Sequence, residues 1–237
     1  MLESLRNKRI LVVVAHPDDE LLGLGATMHK LIHEYSCVIR AVILGEGITS
    51  RSEKRDPEKW QNELKIHRMN IESARKAIGY DSVGVYDFPD NRFDTVALLD
   101  IIKTVEKEKQ QFHPEVIFTH HRGDVNIDHQ RTFEAVITAC RPLEEEKVKI
   151  IISFETPSGT EWIAPSDHAK QFIPNLFFEV SEEAVNAKIK GMESYEFEKR
   201  AYPHPRSPEA LRIQAQRWGV VVGKSFAEAF SIVRVVE

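Results

Sequence analysis

The chain has 237 residues, 42% hydrophobic and 29% charged, a balance that fits a globular domain and excludes collagenous, disordered and membrane-embedded classes. Lys plus Arg number 32 against 37 Asp plus Glu, a formal charge of -5, so no overall field draws the protein to nucleic acid or an anionic membrane. The two cysteines, Cys37 and Cys140, are too few for a disulfide framework or a thiolate metal cluster and are expected as buried thiols in a reduced, cytoplasmic setting.

The length suits one domain spanning 1–237. The apolar run ahead of His16 is too short for a signal-peptide core or a membrane span. Residues 10–15, ILVVVA, read as a strand buried on both faces of a parallel sheet. An acidic loop follows, and Leu21, Leu24, Met28, Leu31 and Ile32 then recur at helical spacing from Glu20 to about Glu34. A second strand over Cys37–Leu44 closes a βαβ unit. The alternation continues with a helix over Asp56–Ile78, a strand over Val83–Asp87, a helix over Thr95–Gln110 and a strand over Val116–Thr119. Asp128 opens a helix to Ala139, and Lys149–Phe154 and Leu176–Val180 read as strands. Two amphipathic helices, Ser181–Glu198 and Pro208–Val222, flank the proline-rich loop AYPHPRSPE. The pattern predicts an α/β fold, a Rossmann-like three-layer sandwich around a mostly parallel sheet.

Ligands of open α/β sheets bind beyond the carboxyl ends of the strands. Three loops there carry metal-ligand residue types: His16-Pro17-Asp18-Asp19-Glu20, Gly45-Glu46-Gly47 and His120–His129. A dinucleotide cradle is the alternative at the first turn, but Gly23-Leu24-Gly25 is a fragment of the glycine fingerprint set inside the helix, and two carboxylates would repel a phosphate. Beside a divalent cation the same carboxylates become favourable. A catalytic zinc takes three protein ligands and leaves one position open. His16 and Asp19 can supply two, with Asp124, Asp128 and His129 as candidates for the third; His120 and His121 are weaker candidates.

AHPDDE after the first strand, with NIDH about 110 residues later, resembles the PIG-L/LmbE-type N-acetylglucosamine deacetylases. The likeness extends to Gly45-Glu46-Gly47, Arg68 with Glu72, FPDNRFD and YPHPRSPEAL. It implies a hydrolase that removes the acetyl group from an N-acetylated sugar, with His16, Asp19 and His129 holding Zn2+, Fe2+ or another divalent metal, and Asp18 as the base acting on water. Glu46, Arg68, Asn91 and Arg92 match substrate-binding positions, although Arg68 and Glu72 also make an ordinary helix pair. Many members carry histidine where this chain has Asn126, which can donate a hydrogen bond but carries no titrating proton; an acid role then falls to His204 or stays with Asp18. Arg206 could meet an anionic part of the substrate or be a solvated loop arginine. Trp60, Trp162 and Trp218 read as core or interface residues, and the runs at 106–109 and 144–147 as solvated charge. The implied partner is a small N-acetylated sugar, with no nucleic acid and no membrane span, and a homo-oligomer is compatible. Competing readings are a nucleotide-binding oxidoreductase and a metal- and sugar-binding protein without turnover.

Overall fold

The apolar run after Lys8 forms β1 (Arg9–Val14), whose residues Ile10 to Val14 are fully buried, in a computed structural model that describes residues 1–236. The other strands are β2 (Val38–Gly45), β3 (Ser82–Phe88), β4 (Val116–His120), β5 (Ile150–Phe154), β6 (Leu176–Glu179) and β7 (Ala227–Val235). They build one sheet of order β3-β2-β1-β4-β5-β7-β6. Strands β1 to β5 pair in parallel, Val12 lying opposite Ala41 on one side and Phe118 on the other. β7 runs antiparallel to both β5 and β6. The strand order reverses between β1 and β4, so the loops after those two strands diverge around a crevice.

Helices α1 (Leu2–Leu5), α2 (Asp19–Leu22), α3 (Gly25–Tyr35), α4 (Gln61–Ile78), α5 (Leu98–Phe112), α6 (Ile127–Ala139), α7 (Glu182–Glu193) and α8 (Pro208–Val221) complete the chain. Alternation along β1 sends Ile10, Val12 and Val14 into a core with α3 and α4, and Leu11 and Val13 into a second core with α5 and α6. The result is the expected three-layer α/β sandwich.

Several boundaries differ from the sequence reading. The helix expected over Glu20–Glu34 is broken into α2 and α3 at Gly23, where an added Cβ would lie 2.0 Å from the Glu155 carbonyl oxygen. Strand β7 lies beyond the last predicted element. Its Glu228 accepts from the backbone N–H groups of Ala26 at 3.3 Å and Thr27 at 2.7 Å, and Lys188 donates to it at 2.8 Å. That carboxylate satisfies the start of α3, where a nucleotide fold would place phosphate. The charge run at 106–109 is not all solvated, because Glu108 is buried and bound by Arg40 and Tyr86. α6 starts with Asn126 as its cap, not Asp128: the Asn126 Oδ1 accepts from the Asp128 N–H at 2.8 Å. Glu72 pairs with Arg75 at 2.7 Å and with Lys76 at 3.5 Å, not with Arg68 as the sequence spacing suggested. Among the described residues no helix is long and apolar enough to cross a membrane.

Candidate active site and metal centre

The loop leaving β1 turns sharply at Asp18, whose φ of 105° is rare for a side-chain-bearing residue, and starts α2 at Asp19. The turn lets the Asp19 Oδ2 accept from the His16 N–H at 2.8 Å. From the other side of the crevice α6 delivers His129. Asp19 Oδ2, His16 Nδ1 and His129 Nε2 then form a triangle with each side 3.3 Å. A tetrahedral zinc with ligand atoms at about 2.0–2.1 Å sets those atoms about 3.3–3.4 Å apart. Asp19 Oδ1, buried, has no hydrogen-bond partner. Donor types, spacing and an unpaired carboxylate oxygen together fit a divalent cation.

The outward nitrogen of each histidine faces a carboxylate. His16 Nε2 lies 2.9 Å from Asp128 Oδ2, and Asp128 Oδ1 accepts from the Phe93 N–H at 2.8 Å. His129 Nδ1 lies 3.2 Å from Asp124 Oδ2 without hydrogen-bond geometry, and that oxygen accepts from the Thr160 hydroxyl at 2.7 Å. Such partners fix the tautomer and ring angle of a metal-binding histidine. Asp90 Oδ1 lies 3.5 Å from His16 Nε2 and adds to the negative surroundings. Burial lowers the proton affinity of His16 and His129, but these carboxylates outweigh it, raising His16 well above the ordinary range and His129 to about 9. The site demands positive charge, which a cation supplies on displacing those protons.

His120 takes a different role. Its Nε2 accepts from the Ala15 N–H at 3.0 Å, its Nδ1 meets the Thr156 hydroxyl at 2.9 Å, and its ring stacks on His129 with centroids 3.9 Å apart. Burial and His129 lower its pKa to about 4. A neutral ring with its lone pair already engaged buttresses His129. His121 points elsewhere, to the Lys170 carbonyl.

Asp18 stands beside the triangle with its carboxylate outside it. Burial pushes its pKa well up, opposed by Arg206, which donates to Asp18 Oδ2 at 2.8 Å. Arg206 is held in turn by Ser158 at 2.7 Å and Glu198 at 3.3 Å, so it is not a solvated loop arginine. Below, Glu20 accepts from the Asp18 N–H at 3.0 Å and from the Tyr195 hydroxyl, and burial raises its pKa to about 7.

A cavity of about 250 Å³ opens over these groups, with His16, Asp18, Asp90, Asn126, Trp162 and His204 among its walls. Ile48, Asn91 and Ser158 also line it, and with Asp18 they give four side-chain-bearing residues at positive φ around one cavity. Such strain concentrates where loop geometry is fixed for function. Asn126 Nδ2 donates to Asn91 Oδ1 at 2.9 Å, joining two predicted residues. His204 Nδ1 accepts from the Arg206 N–H at 3.2 Å, and burial with Arg206 and Arg200 nearby lowers its pKa.

The structure does not bring Glu46, Arg68 and Arg92 to this cavity. Glu46 is engaged by Arg55, with both contacts at 2.8 Å, and by Thr49 at 2.7 Å; with Arg68 it lines a separate cavity. Arg92 donates to the Glu53 carbonyl at 3.0 Å. On α4 it is His67, one residue before Arg68, that lines the cavity, buried, with neither ring nitrogen partnered. Trp162 is 55% exposed on the rim, edge-on to His204, not in the core, whereas Trp218 is buried and binds Glu155. Neither His67 nor Trp162 carried a signal in the sequence, because helix phase and loop path decide both.

Residues 11–140 match the family model described as PIG-L, GlcNAc-PI de-N-acetylase. A curated Escherichia coli K12 protein described as uncharacterized deacetylase YaiS is 30% identical over 200 residues, 81% of this chain and 94% of that protein. Among solved structures, the N,N'-diacetylchitobiose deacetylase of Pyrococcus horikoshii superposes with a TM-score of 0.73 at 17% identity, over 96% of this chain and 84% of the other. The 4-carboxy-2-hydroxymuconate hydratase GalB of Pseudomonas putida KT2440 does so with 0.69 at 20% identity, over 97% and 98%. At these identities the two structures share the fold, and the chemistry is argued from the site.

Proposed function

The chain belongs to the PIG-L family of de-N-acetylases, and from that premise we propose that it is a zinc-dependent hydrolase releasing acetate from an N-acetylated sugar or sugar conjugate. The observation that carries this reading is the 3.3 Å triangle of His16, Asp19 and His129 with the carboxylate of Asp18, held by Arg206, beside it. A divalent cation held by the triangle supplies a polarised carbonyl and a water acidified to a pKa of about 7. Asp18, beside the triangle, would accept the proton of the attacking water as its oxygen adds to the amide carbon. The C–N bond then breaks, and Asp18 passes the proton to the departing nitrogen, giving amine and acetate.

The two functions of Asp18 suit its surroundings, since burial favours holding a proton and Arg206 limits that preference. Asn126 keeps a second amide hydrogen for the developing oxyanion, its first being held by Asn91. His204, with Nδ1 occupied by a backbone N–H, presents Nε2–H as a neutral donor; two neighbouring arginines disfavour the imidazolium an acid would need. Asn91 and Asn126 are the proposed contacts to the N-acetyl end, and Glu46, Arg68 and Arg92 act on the shape of the loops instead.

The test is acetate release from N-acetylglucosamine derivatives by metal-loaded, chelated and Asp18→Asn protein, with metal content assayed in each. Loss of release on chelation, and a drop of about 10²- to 10⁴-fold in Asp18→Asn with metal retained, is the expected result. Water addition to an unsaturated acid with no acetate from any amide would instead place the chain with hydratases of this fold.

A further inference from the structure

One short segment after α7 reaches Asp18 from two sides. The chain turns there, with the Glu198 N–H donating to the Tyr195 carbonyl at 3.1 Å. Glu198 accepts from Arg206 at 3.3 Å, and Arg206 grips the Asp18 carboxylate. The Tyr195 hydroxyl donates instead to Glu20, whose other carboxylate oxygen accepts from the Asp18 N–H at 3.0 Å. The first arm holds the side chain of Asp18 and the second its backbone.

The backbone arm answers a specific need. Asp18 has φ 105° and ψ -29°, a conformation that residues with a Cβ adopt only when their surroundings impose it. Its carbonyl accepts from the Leu21 and Leu22 N–H groups at 2.9 and 3.2 Å, and Glu20 takes up its N–H. Glu20 is itself fixed at both ends, because the Tyr80 hydroxyl donates to its carbonyl at 2.6 Å. All three side chains, Glu20, Tyr80 and Tyr195, are buried. Among the described residues no lysine or arginine pairs with the Glu20 carboxylate; its donors are a backbone N–H and a phenol. A buried carboxylate without a cation is a poor source of stability, and such local conflicts are kept where geometry serves function.

We propose, resting on the deacetylase reading, that Glu20 and Tyr195 are positioning residues: the Tyr195 hydroxyl aligns the Glu20 carboxylate, which fixes the strained Asp18 peptide and so aims Asp18 at the substrate amide. Without that acceptor the buried Asp18 N–H is unpaired, and the turn relaxes toward negative φ. Asp19 stays in place, because its contacts to the His16 N–H and to His129 do not pass through Glu20.

The experiment measures kcat and KM for acetate release, together with metal content, in Glu20→Met, Glu20→Gln and Tyr195→Phe, each made in wild type and in Asp18→Asn. Crystal structures of metal-loaded Glu20→Met and Tyr195→Phe are determined alongside. The expected result is a fall in kcat of about 100-fold in Glu20→Met and about 10-fold in Tyr195→Phe, with KM and metal content within about twofold of wild type. Glu20→Gln stays within about threefold, since its amide oxygen still accepts from Asp18 and its amide N–H can donate to the Tyr195 oxygen. In Asp18→Asn the same substitutions change kcat by less than about threefold, because they act through Asp18. The crystals show Asp18 out of the positive-φ region. Tyr195→Phe removes one oxygen atom and carries the test where Glu20→Met fails to fold. Unchanged kcat in Tyr195→Phe, an equal fall in the Asp18→Asn background, or an unmoved Asp18 in the crystals overturns the proposal. Absence of acetate release from the wild type overturns the deacetylase reading alone, because the crystals still decide whether Glu20 and Tyr195 hold Asp18.

Discussion

Asp18 and Asp19 are adjacent, equally buried carboxylates with different surroundings, and the backbone separates them. The positive φ at Asp18 turns its side chain toward Arg206 and the cavity, while Asp19, first in α2, faces the two histidines. The motif HPDDE made both visible in the sequence, because a carboxylate pair directly after a buried strand has little other use. Their supports were not visible. Asp128 shows only as one acid among several near His129, yet it accepts from both His16 and Phe93. Asp128→Asn is expected to weaken metal binding by about 10- to 100-fold, read by competition with a chelator of known affinity. His67 gives the opposite case. Both its ring nitrogens are buried without partners, so His67→Met removes desolvated polar atoms and breaks no hydrogen bond. Its urea midpoint is expected to hold or rise; a loss above about 1.5 kcal/mol would mean that the ring has a partner in the folded protein.

Elements built from local pattern alone were legible, and those built by distant contacts were not. β1 announced itself through an unbroken apolar run, and α5 through its apolar stripe. β7 did not, because its buried Glu228 is compensated by Lys188 and the start of α3, about 200 residues away in sequence. The break at Gly23 likewise answers to Glu155, and Glu108 to Arg40 on β2. That last pair offers a measurement. β3 makes room for it at Gly84, where a Cβ would fall 2.7 Å from Arg40 Nη2 and 2.9 Å from Glu108 Oε1. Burial raises the Glu108 pKa, but hydrogen bonds from Arg40 and Tyr86 outweigh it and leave the group below its ordinary value. A carboxyl lowered on folding stabilises the protein above its unfolded pKa, about 4.3, and that contribution is lost as the pH falls through the folded value. Glu108→Gln is therefore expected to cost about 2–3 kcal/mol at pH 7, less than a fully buried pair because Arg40 is partly hydrated. The difference from wild type in urea unfolding should shrink steadily below pH 4. A gap unchanged at pH 3 would show that packing, not charge, carries the effect.

On the scale of the whole molecule, the strand reversal between β1 and β4 separates two halves whose loops meet at one point, the His16, Asp19 and His129 triangle. Asp18, Asp19, Asp90, Asp124 and Asp128 are all buried around it, so without a cation the meeting point gathers like charges. A cation bound there would then be a structural tie. At a free metal concentration about 1,000 times Kd, binding to the folded state alone adds about 4 kcal/mol. For a chain of this size each kcal/mol moves the Tm by about 2–4 °C, so chelation is expected to lower it by about 8–16 °C. Two variants locate the effect. Asp19→Asn weakens the triangle and should lose most of the chelator-induced shift, starting from a lower Tm in the presence of metal. Asp18→Asn, which leaves the triangle intact, should keep the shift while losing acetate release. A shift that survives in Asp19→Asn would place the stabilising cation elsewhere, and a shift lost in Asp18→Asn would make that carboxylate a ligand in place of a base.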